Sequence, residues 1–559
     1  RGAFTPITYG DLENKVYEFA RALIESGVKP NDRVAIISEN CAEWAIMDWA
    51  ILSIGAISVP IFTTFMPDTI SYILKDSEIK HVVAGDLKLA EKIEYSAQQE
   101  NIPVVIIILN DSKQGCFSIL RLLEESKNSQ YTKQDWLEQI KKILPDDLAT
   151  IIYTSGTTGE PKGAMLTHEN FTFLCHTIIS NLPVDNKDRF LSYLPLAHVY
   201  ERMAGHFLPI SCGAEIAYAD SLRTVAQDMI HAQPTILLTV PRFLDAVRLK
   251  MLTAAKESPG IKRWLFESAL KQGKKRIQNR MQPSGFFGKM LDKIVGSKIR
   301  EKFGGKLRFM VSGGAALPYD LAEFFAAFGL NIVQGYGLTE TAPVISVNHP
   351  DRNVPESVGE ILSGIEIQIA DDGEILMRGP SLMKGYLNKP EETAQAIDEQ
   401  GWFHTGDLGK IEANRLWITG RKKDIIVMAN GKNVGPEKIE NLLRACEYVD
   451  EVMVIGDDMD LIAALIVPNF ELLKHFCHQV GLDCSHWQLV AEYPQIRDLF
   501  KSEIDKINPQ LPDYERVKRF IILSERWSVE TGELTPSMKV RRKVVIEKYK
   551  ELIDKIKAA

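Results

Sequence analysis

The sequence predicts an α/β protein with a large, multi-subdomain N-terminal domain of mostly parallel sheets and a small C-terminal α+β domain. Two observations carry that expectation. Strand-like and helix-like segments alternate along most of the chain, and the strands are apolar on both faces, as in a parallel sheet covered by helices. After about Gly420 the texture changes to shorter units mixed with basic helices, which divides the chain at 1–419 and 420–559. A length of 559 residues also exceeds what one ordinary core organises.

The elements follow in order. Leu12, Val16, Phe19, Leu23 and Ile24 recur at helical spacing, with Thr8 and Asp11 as a capping pair and Gly27 as the stop. A strand-like run over 33–38, a buried helix over 42–54 and a second strand-like run over 56–62 come next. The apolar stretch 49–62 is too short to span a bilayer, and its Gly55 and Pro60 suit a helix-turn-strand. Further strands are expected over 102–109, 150–154, 235–240 and 307–312, and in the small domain over 451–456, 463–468 and 520–523.

Composition bounds function only loosely. With 45% hydrophobic and 25% charged residues and a net charge of -8, the chain reads as globular and not as a nucleic-acid binder. Seven scattered cysteines read as reduced thiols of a cytoplasmic protein rather than a disulfide framework. His475, Cys477, His478, Cys484 and His486 lack the paired spacing of a metal site and read as a polar helix end and loop. Residues 1–10 have no apolar signal-peptide core, and a start on Arg1 leaves room for missing upstream residues. Residues 256–308 are dense in base: Lys262, Arg263, Lys271, Lys274, Lys275, Arg276, Arg280, Lys289, Lys293 and Arg300 interleave with Trp264, Leu265, Phe266, Phe286, Phe287 and Leu291. Two readings stay open there, a solvated helical face and an amphipathic face for peripheral contact with an anionic membrane.

The sharpest chemical feature is TSGTTGEPKG over residues 154–163, after the apolar strand ending at Tyr153 and before a helix-like segment near His168. Its small residues Gly156 and Gly159 let backbone N–H groups approach an anion. Thr154, Ser155, Thr157 and Thr158 offer hydroxyls to phosphate oxygens, and Lys162 adds positive charge. It is not a Walker loop, because Gly163 follows the lysine.

This loop resembles the signature of the adenylate-forming superfamily, which includes acyl-CoA synthetases, luciferases and peptide-synthetase adenylation domains. SGGAAL at 312–317, QGYGLTET at 334–341, GWFHTGDLG at 401–409, GRKKD at 420–424 and LTPSMKVRRK at 534–543 follow in that family's order, so the resemblance covers nearly the whole chain. It implies an adenine slot lined by Gly313, Gly314 and Ala315, with Gln334, Gly335, Tyr336 and Gly337 opposite. It further implies that Thr339 bonds the α-phosphate, that Glu340, with Thr157, holds Mg2+, and that Asp407 and Arg421 bond the ribose, Arg421 from across the domain boundary. Lys539 would reach from the small domain to the acyl carboxylate and the α-phosphate, where its charge offsets the repulsion of two anions. The same resemblance implies a mobile small domain turning about a hinge at Gly420, just before Arg421, and a segment over 429–440 in which Gly431 gives close approach to coenzyme A.

YLPLAHVYER over 193–202 is most similar to long-chain fatty acyl-CoA synthetases. His198 would then lie beside the carboxylate and Tyr200 near an acyl gate. The implied reaction consumes a fatty acid, ATP and CoA, and passes through an acyl-adenylate. Ligation of an aryl acid, or to acyl carrier protein, is the alternative within the superfamily. A non-catalytic nucleotide- or lipid-binding relative is the alternative outside it, opposed by the presence of both Lys539 and Glu340.

Overall fold

The computed structural model describes residues 4–110, 116–154, 160–278, 286–484, 486–491, 493–535 and 538–558. The first helix, Tyr9–Glu25, begins where the sequence places it. The Thr8 hydroxyl accepts the Asp11 N–H at 3.1 Å, and the Asp11 carboxylate accepts the Thr8 N–H at 3.3 Å, closing a capping box. Its buried face, with Val16, Phe19 and Leu23, packs against the helix Ala42–Ser53, whose Trp44, Ile46, Met47 and Ile51 are buried around most of its girth. A helix apolar on all sides belongs between layers, and this one covers a sheet.

That sheet has eight strands. In spatial order they are Gly385–Tyr386, Lys162–Thr167, Leu148–Thr154, Ile57–Pro60, Arg33–Ile37, His81–Ala84, Val105–Ile108 and Phe117–Ser118. From Leu148–Thr154 onward every pairing is parallel. The second sheet has eleven strands and is mixed. Glu215–Tyr218, Arg189–Ser192, Ile236–Thr239, Phe309–Ser312 and Ile332–Tyr336 run parallel, and the remaining pairings are antiparallel. The expectation of mostly parallel sheets therefore holds for the first and fails for half of the second. The hidden part consists of hairpins with weak turn signals: Ala413 and Asn414 both take positive φ, 49° and 59°, between the paired residues Glu412 and Arg415, without the glycine that usually marks such a turn.

A second departure concerns the loop at 154–163. It is followed by a strand, Lys162–Thr167, which pairs antiparallel with Leu148–Thr154, and only then by the helix His168–Asn181. The strands on either side of residues 155–159 are thus an antiparallel pair, and the helix follows the second of them.

The small domain has its own core. Its sheet of Val449–Ile455, Ile462–Pro468 and Val517–Ile522 is covered on one face by Pro436–Arg444 and Pro494–Ile507, and on the other by Arg542–Lys548 and Lys550–Ala558. The strand Arg415–Arg421 still pairs within the large sheet, Arg421 opposite Asp407 and Gly420 opposite Leu408, so the large domain extends past 419. One cysteine reading is corrected: Cys477 and Cys484 are joined, with Cα atoms 6.5 Å apart. Gly481, at φ 72°, ends the helix Phe470–Val480 and turns the chain back so that the two sulfurs meet. Among the described residues no cluster of metal-binding side chains occurs, and no helix is long and apolar enough to cross a membrane.

Candidate active site

The C-terminal ends of the parallel strands in the second sheet open into a cleft of about 1830 Å3, closed on its far side by the small domain. Thr154, Lys162, His198, Gly313, Gly314, Ala315, Gln334, Gly335, Tyr336, Gly337, Thr339, Glu340, Asp407, Arg421 and Lys539 all line it. Ser155, Gly156, Thr157, Thr158 and Gly159 lie outside the described residues. Gly431 is not part of the cleft; it occupies an exposed turn of the small domain at φ 77°, with open space where a side chain would start.

One end of the cleft is organised by Asp407. The Tyr336 hydroxyl donates to its Oδ2 at 2.7 Å, and the Arg421 Nε lies 2.9 Å from its Oδ1. Burial and the Asp407 carboxylate together push the Tyr336 phenol well above its ordinary range, so it stays a donor. Arg421 was expected from across the domain boundary; instead it stands opposite Asp407 in the same hairpin, because the strand carries it two residues beyond 419. Gln334 also plays a different part. Its Oε1 accepts the Leu317 N–H at 2.9 Å and its Nε2 donates to the Pro355 carbonyl at 3.1 Å, so its amide is used in fixing the SGGAAL loop. Gly337 is required sterically, since a Cβ there would meet the Pro343 carbonyl oxygen at 1.7 Å. A Cβ on Gly313 would meet the Tyr200 ring at 3.1 Å, and the Tyr200 hydroxyl donates to the Val311 carbonyl at 2.8 Å. Tyr200 therefore props the Gly313 loop from beneath.

Elsewhere on the cleft wall, Thr154 and Lys162 are paired across neighbouring strands, and the Lys162 ammonium lies 5.1 Å from the Tyr386 ring centroid. The Tyr386 hydroxyl donates to Glu340 Oε1 at 2.7 Å. That bond fixes the carboxylate and leaves its other oxygen toward the cleft. A hard-oxygen donor on the cleft wall fits Mg2+, and with no second carboxylate cluster among the described residues the remaining ligands would be phosphate oxygens and water.

Lys539 reaches this point from the small domain. Its backbone N–H donates to the Thr535 hydroxyl at 3.0 Å, and its carbonyl accepts the Thr535 N–H at 2.8 Å, closing a tight turn. Surrounding protein lowers its amine to about 8, with Arg421 adding to that effect and Asp407 and Glu340 opposing it. The side chain still borders the solvent-filled cleft and is accessible to water, so crowding there is less than full burial. His198 lies close enough to feel the Lys539 charge. Burial first, and then that charge, lowers its imidazole to about 4, and its Nδ1 accepts the Tyr200 N–H at 3.1 Å. It is a neutral, oriented ring.

Sequence reading passed over what holds His198 in place. Arg202, fully buried four residues on, donates to both Asp48 oxygens at 2.9 and 2.6 Å and to Thr150 Oγ1 at 2.6 Å. Ser58 donates to Asp48 at 2.6 Å, so the network ties the His198 segment to both strands of the first sheet that bear these hydroxyls. Burial disfavours the Asp48 carboxylate, yet Arg202 overrides it and holds the group at about 2. An arginine and an aspartate 154 residues apart give no sequence signal of pairing.

The cleft lining also includes the apolar side chains Leu182, Val184, Phe190, Leu208, Ile236 and Phe309. One cleft is thus lined both by the polar Asp407, Glu340 and Lys539 and by a set of apolar side chains.

Comparison with known proteins agrees with this layout. Residues 2–387 match the AMP-binding enzyme family, and 423–559 match the AMP-binding enzyme C-terminal domain. The chain is 31% identical to long chain acyl-CoA synthetase 7, peroxisomal, of Arabidopsis thaliana, across 100% of this chain and 82% of that protein. It is 32% identical to long-chain-fatty-acid–CoA ligase FadD15 of Mycobacterium tuberculosis, across 99% and 93%. Among solved structures it resembles the adenylation domain of a carboxylate reductase from Mycobacterium chelonae, at TM-score 0.78 and 21% identity over 100% and 85% of the two chains. ATP-bound MatB from Rhodopseudomonas palustris matches at TM-score 0.71 and 24% identity over 97% and 94%. Family matches over 2–387 and 423–559 establish that the chain belongs to the AMP-binding enzyme family.

Proposed function

We propose that the protein is a long-chain fatty acid–CoA ligase that joins ATP and a fatty acid to an acyl-adenylate, releases pyrophosphate, and then passes the acyl group to the CoA thiol. The observation that carries it is that one cleft is lined both by Lys539 and by apolar side chains including Leu182 and Phe190, which we read as an arm for an alkyl chain. A carboxylate placed between His198 and Lys539 lays its alkyl chain in that arm. Lys539 then screens the carboxylate from the α-phosphate, and a neutral His198 adds a donor without a second charge. Asp407 and Arg421 hold the ribose, Glu340 would hold Mg2+, and the bound metal would neutralise polyphosphate charge. The thiol step needs a different lining, and we place the pivot that exchanges it at the turn Lys422–Asp424, directly after the last strand of the large sheet, with residues 422–559 as the moving domain. Incubation with palmitate and ATP, and with either CoA or acyl carrier protein, tests the assignment: pyrophosphate release with palmitoyl-CoA as product is expected. Thioester on the carrier protein alone, or preference for an aryl acid, sinks it.

The basic segment extends this reading to a lipid surface. Ile261, Trp264, Phe286, Phe287, Met290 and Ile294 are exposed, and Trp264 stacks near Phe287 at 6.4 Å. Lys262, Lys289 and Lys293 stand exposed among them with no ion pair among the described residues. Aromatic side chains ringed by lysines suit the interface of an anionic bilayer, from which a sparingly soluble acid would be drawn. Vesicles of phosphatidylcholine with phosphatidylglycerol should sediment the protein and pure phosphatidylcholine should not. Equal binding to both, or loss of a dimer when Trp264 and Phe287 are changed to Ser, removes the lipid role.

A further inference from the structure

The helix Pro241–Lys256 belongs to the large domain, yet both of its ends hold the small one. Arg242 lies 2.9 Å from Glu451, and Lys256 lies 2.6 Å from Glu447. Neither contact ends there. Glu451 also faces Arg444 at 3.5 Å, Arg444 faces Glu440 at 3.6 Å, and Glu440 takes Arg542 at 2.5 Å while accepting the Val454 N–H at 2.9 Å. Arg542 is three residues from Lys539, on the segment that delivers the amine to the cleft. A chain of alternating charges therefore runs from Arg242, through the small domain, to the backbone beside Lys539.

We infer that Arg242 and Lys256 are positioning residues for adenylation: they clasp the small domain in the pose that brings Lys539 to the cleft, and they part when the domain turns for the thiol step. Three observations carry this. The two pairs sit at opposite ends of one helix of 16 residues, so together they resist rotation as a single pair would not. Glu451 is only 10% exposed, and burial favours its neutral form, so it depends on Arg242 and Arg444 to stay charged. Finally, Glu447 is 40% exposed and Lys256 54%, which makes the second pair easy to solvate when the domains separate. A clasp of moderate strength suits a domain that must let go once per turnover, because a ligase locked in either pose completes only one of its two steps.

The inference rests on the two-step ligase reading, so the two half-reactions are measured separately on the full chain. Pyrophosphate release is followed in a single turnover with ATP and palmitate; thioester formation is followed by adding CoA to preformed palmitoyl-adenylate. Arg242→Glu is expected to slow the first about tenfold while leaving the second within twofold or faster. Lys256→Glu is expected to slow the first a few-fold, and the charge-exchanged pair Lys256→Glu with Glu447→Lys to restore it. Equal losses in both half-reactions, unchanged pyrophosphate release, or no rescue by the exchanged pair would overturn the clasp. If no variant, nor the parent, makes thioester from the adenylate, the ligase reading fails instead, and the pyrophosphate arm still reports on the clasp.

Discussion

Lys539 makes the sharpest residue-level prediction. Because its amine titrates near 8 before substrate binds, kcat/KM for pyrophosphate release should fall as pH rises above about 8, when the charge that screens the two anions is lost. Lys539→Arg, charged at every accessible pH, should flatten that limb at a lower rate, and Lys539→Ala should cost roughly 10²–10³ in adenylation while sparing thioester formation from added adenylate. Glu201 offers a different test. It is fully buried, and burial raises the carboxyl to about 8, with the nearby Ser192 hydroxyl partly opposing that rise. Its folded-state value lies above the unfolded one, so the stability it contributes is complete below about 4.5 and is lost as pH climbs toward 8. Glu201→Gln should therefore match the parent near pH 4 and exceed it at pH 8, by up to roughly 4 kcal/mol, read from denaturant midpoints.

Among the elements, the segment carrying His198 depends on the buried Arg202–Asp48 pair. Asp48→Ala strands a guanidinium in the core and should destabilise the large domain by about 3–5 kcal/mol, whereas Lys250→Ala, on an exposed helical face, should change little. The apolar arm answers to length: Leu182→Trp should shift acyl preference toward shorter chains by at least about tenfold in kcat/KM, with acetate or butyrate turnover unaffected. In the small domain, Gly431→Trp should keep pyrophosphate release and lose thioester; normal acyl-CoA yield would remove Gly431 from the CoA path. The elements also show what sequence could reveal. The first helix was legible down to its Thr8–Asp11 cap, since local periodicity and a local hydrogen-bonding pair specify it. The hairpin behind the phosphate loop was not, because Lys162–Thr167 alternates too weakly to separate from the helix that follows, and the antiparallel half of the second sheet turns on residues such as Ala413 that carry no turn signature. Most candidate residues within contiguous motifs line one cleft, whereas Asp48, Tyr386 and Arg242 act through partners far away in sequence and leave no pattern to read.

At the scale of the whole molecule, the two domains divide the chemistry unequally. Asp407 and Arg421 face each other across neighbouring strands of a single hairpin, both anchored in the large sheet, whereas Lys539 travels with the small domain. On the proposed two-step reading, rotation of the small domain would exchange the lysine without loosening the grip on the sugar. The proposed intermediate would then be committed: once formed, it would have no reason to diffuse away while the lining of the cleft is rebuilt around it. In a pulse-chase experiment, labelled palmitoyl-adenylate formed in the pulse should partition almost wholly to thioester when CoA is added with excess unlabelled ATP and palmitate, and AMP should be the last product to leave, competing with ATP for the vacated cleft.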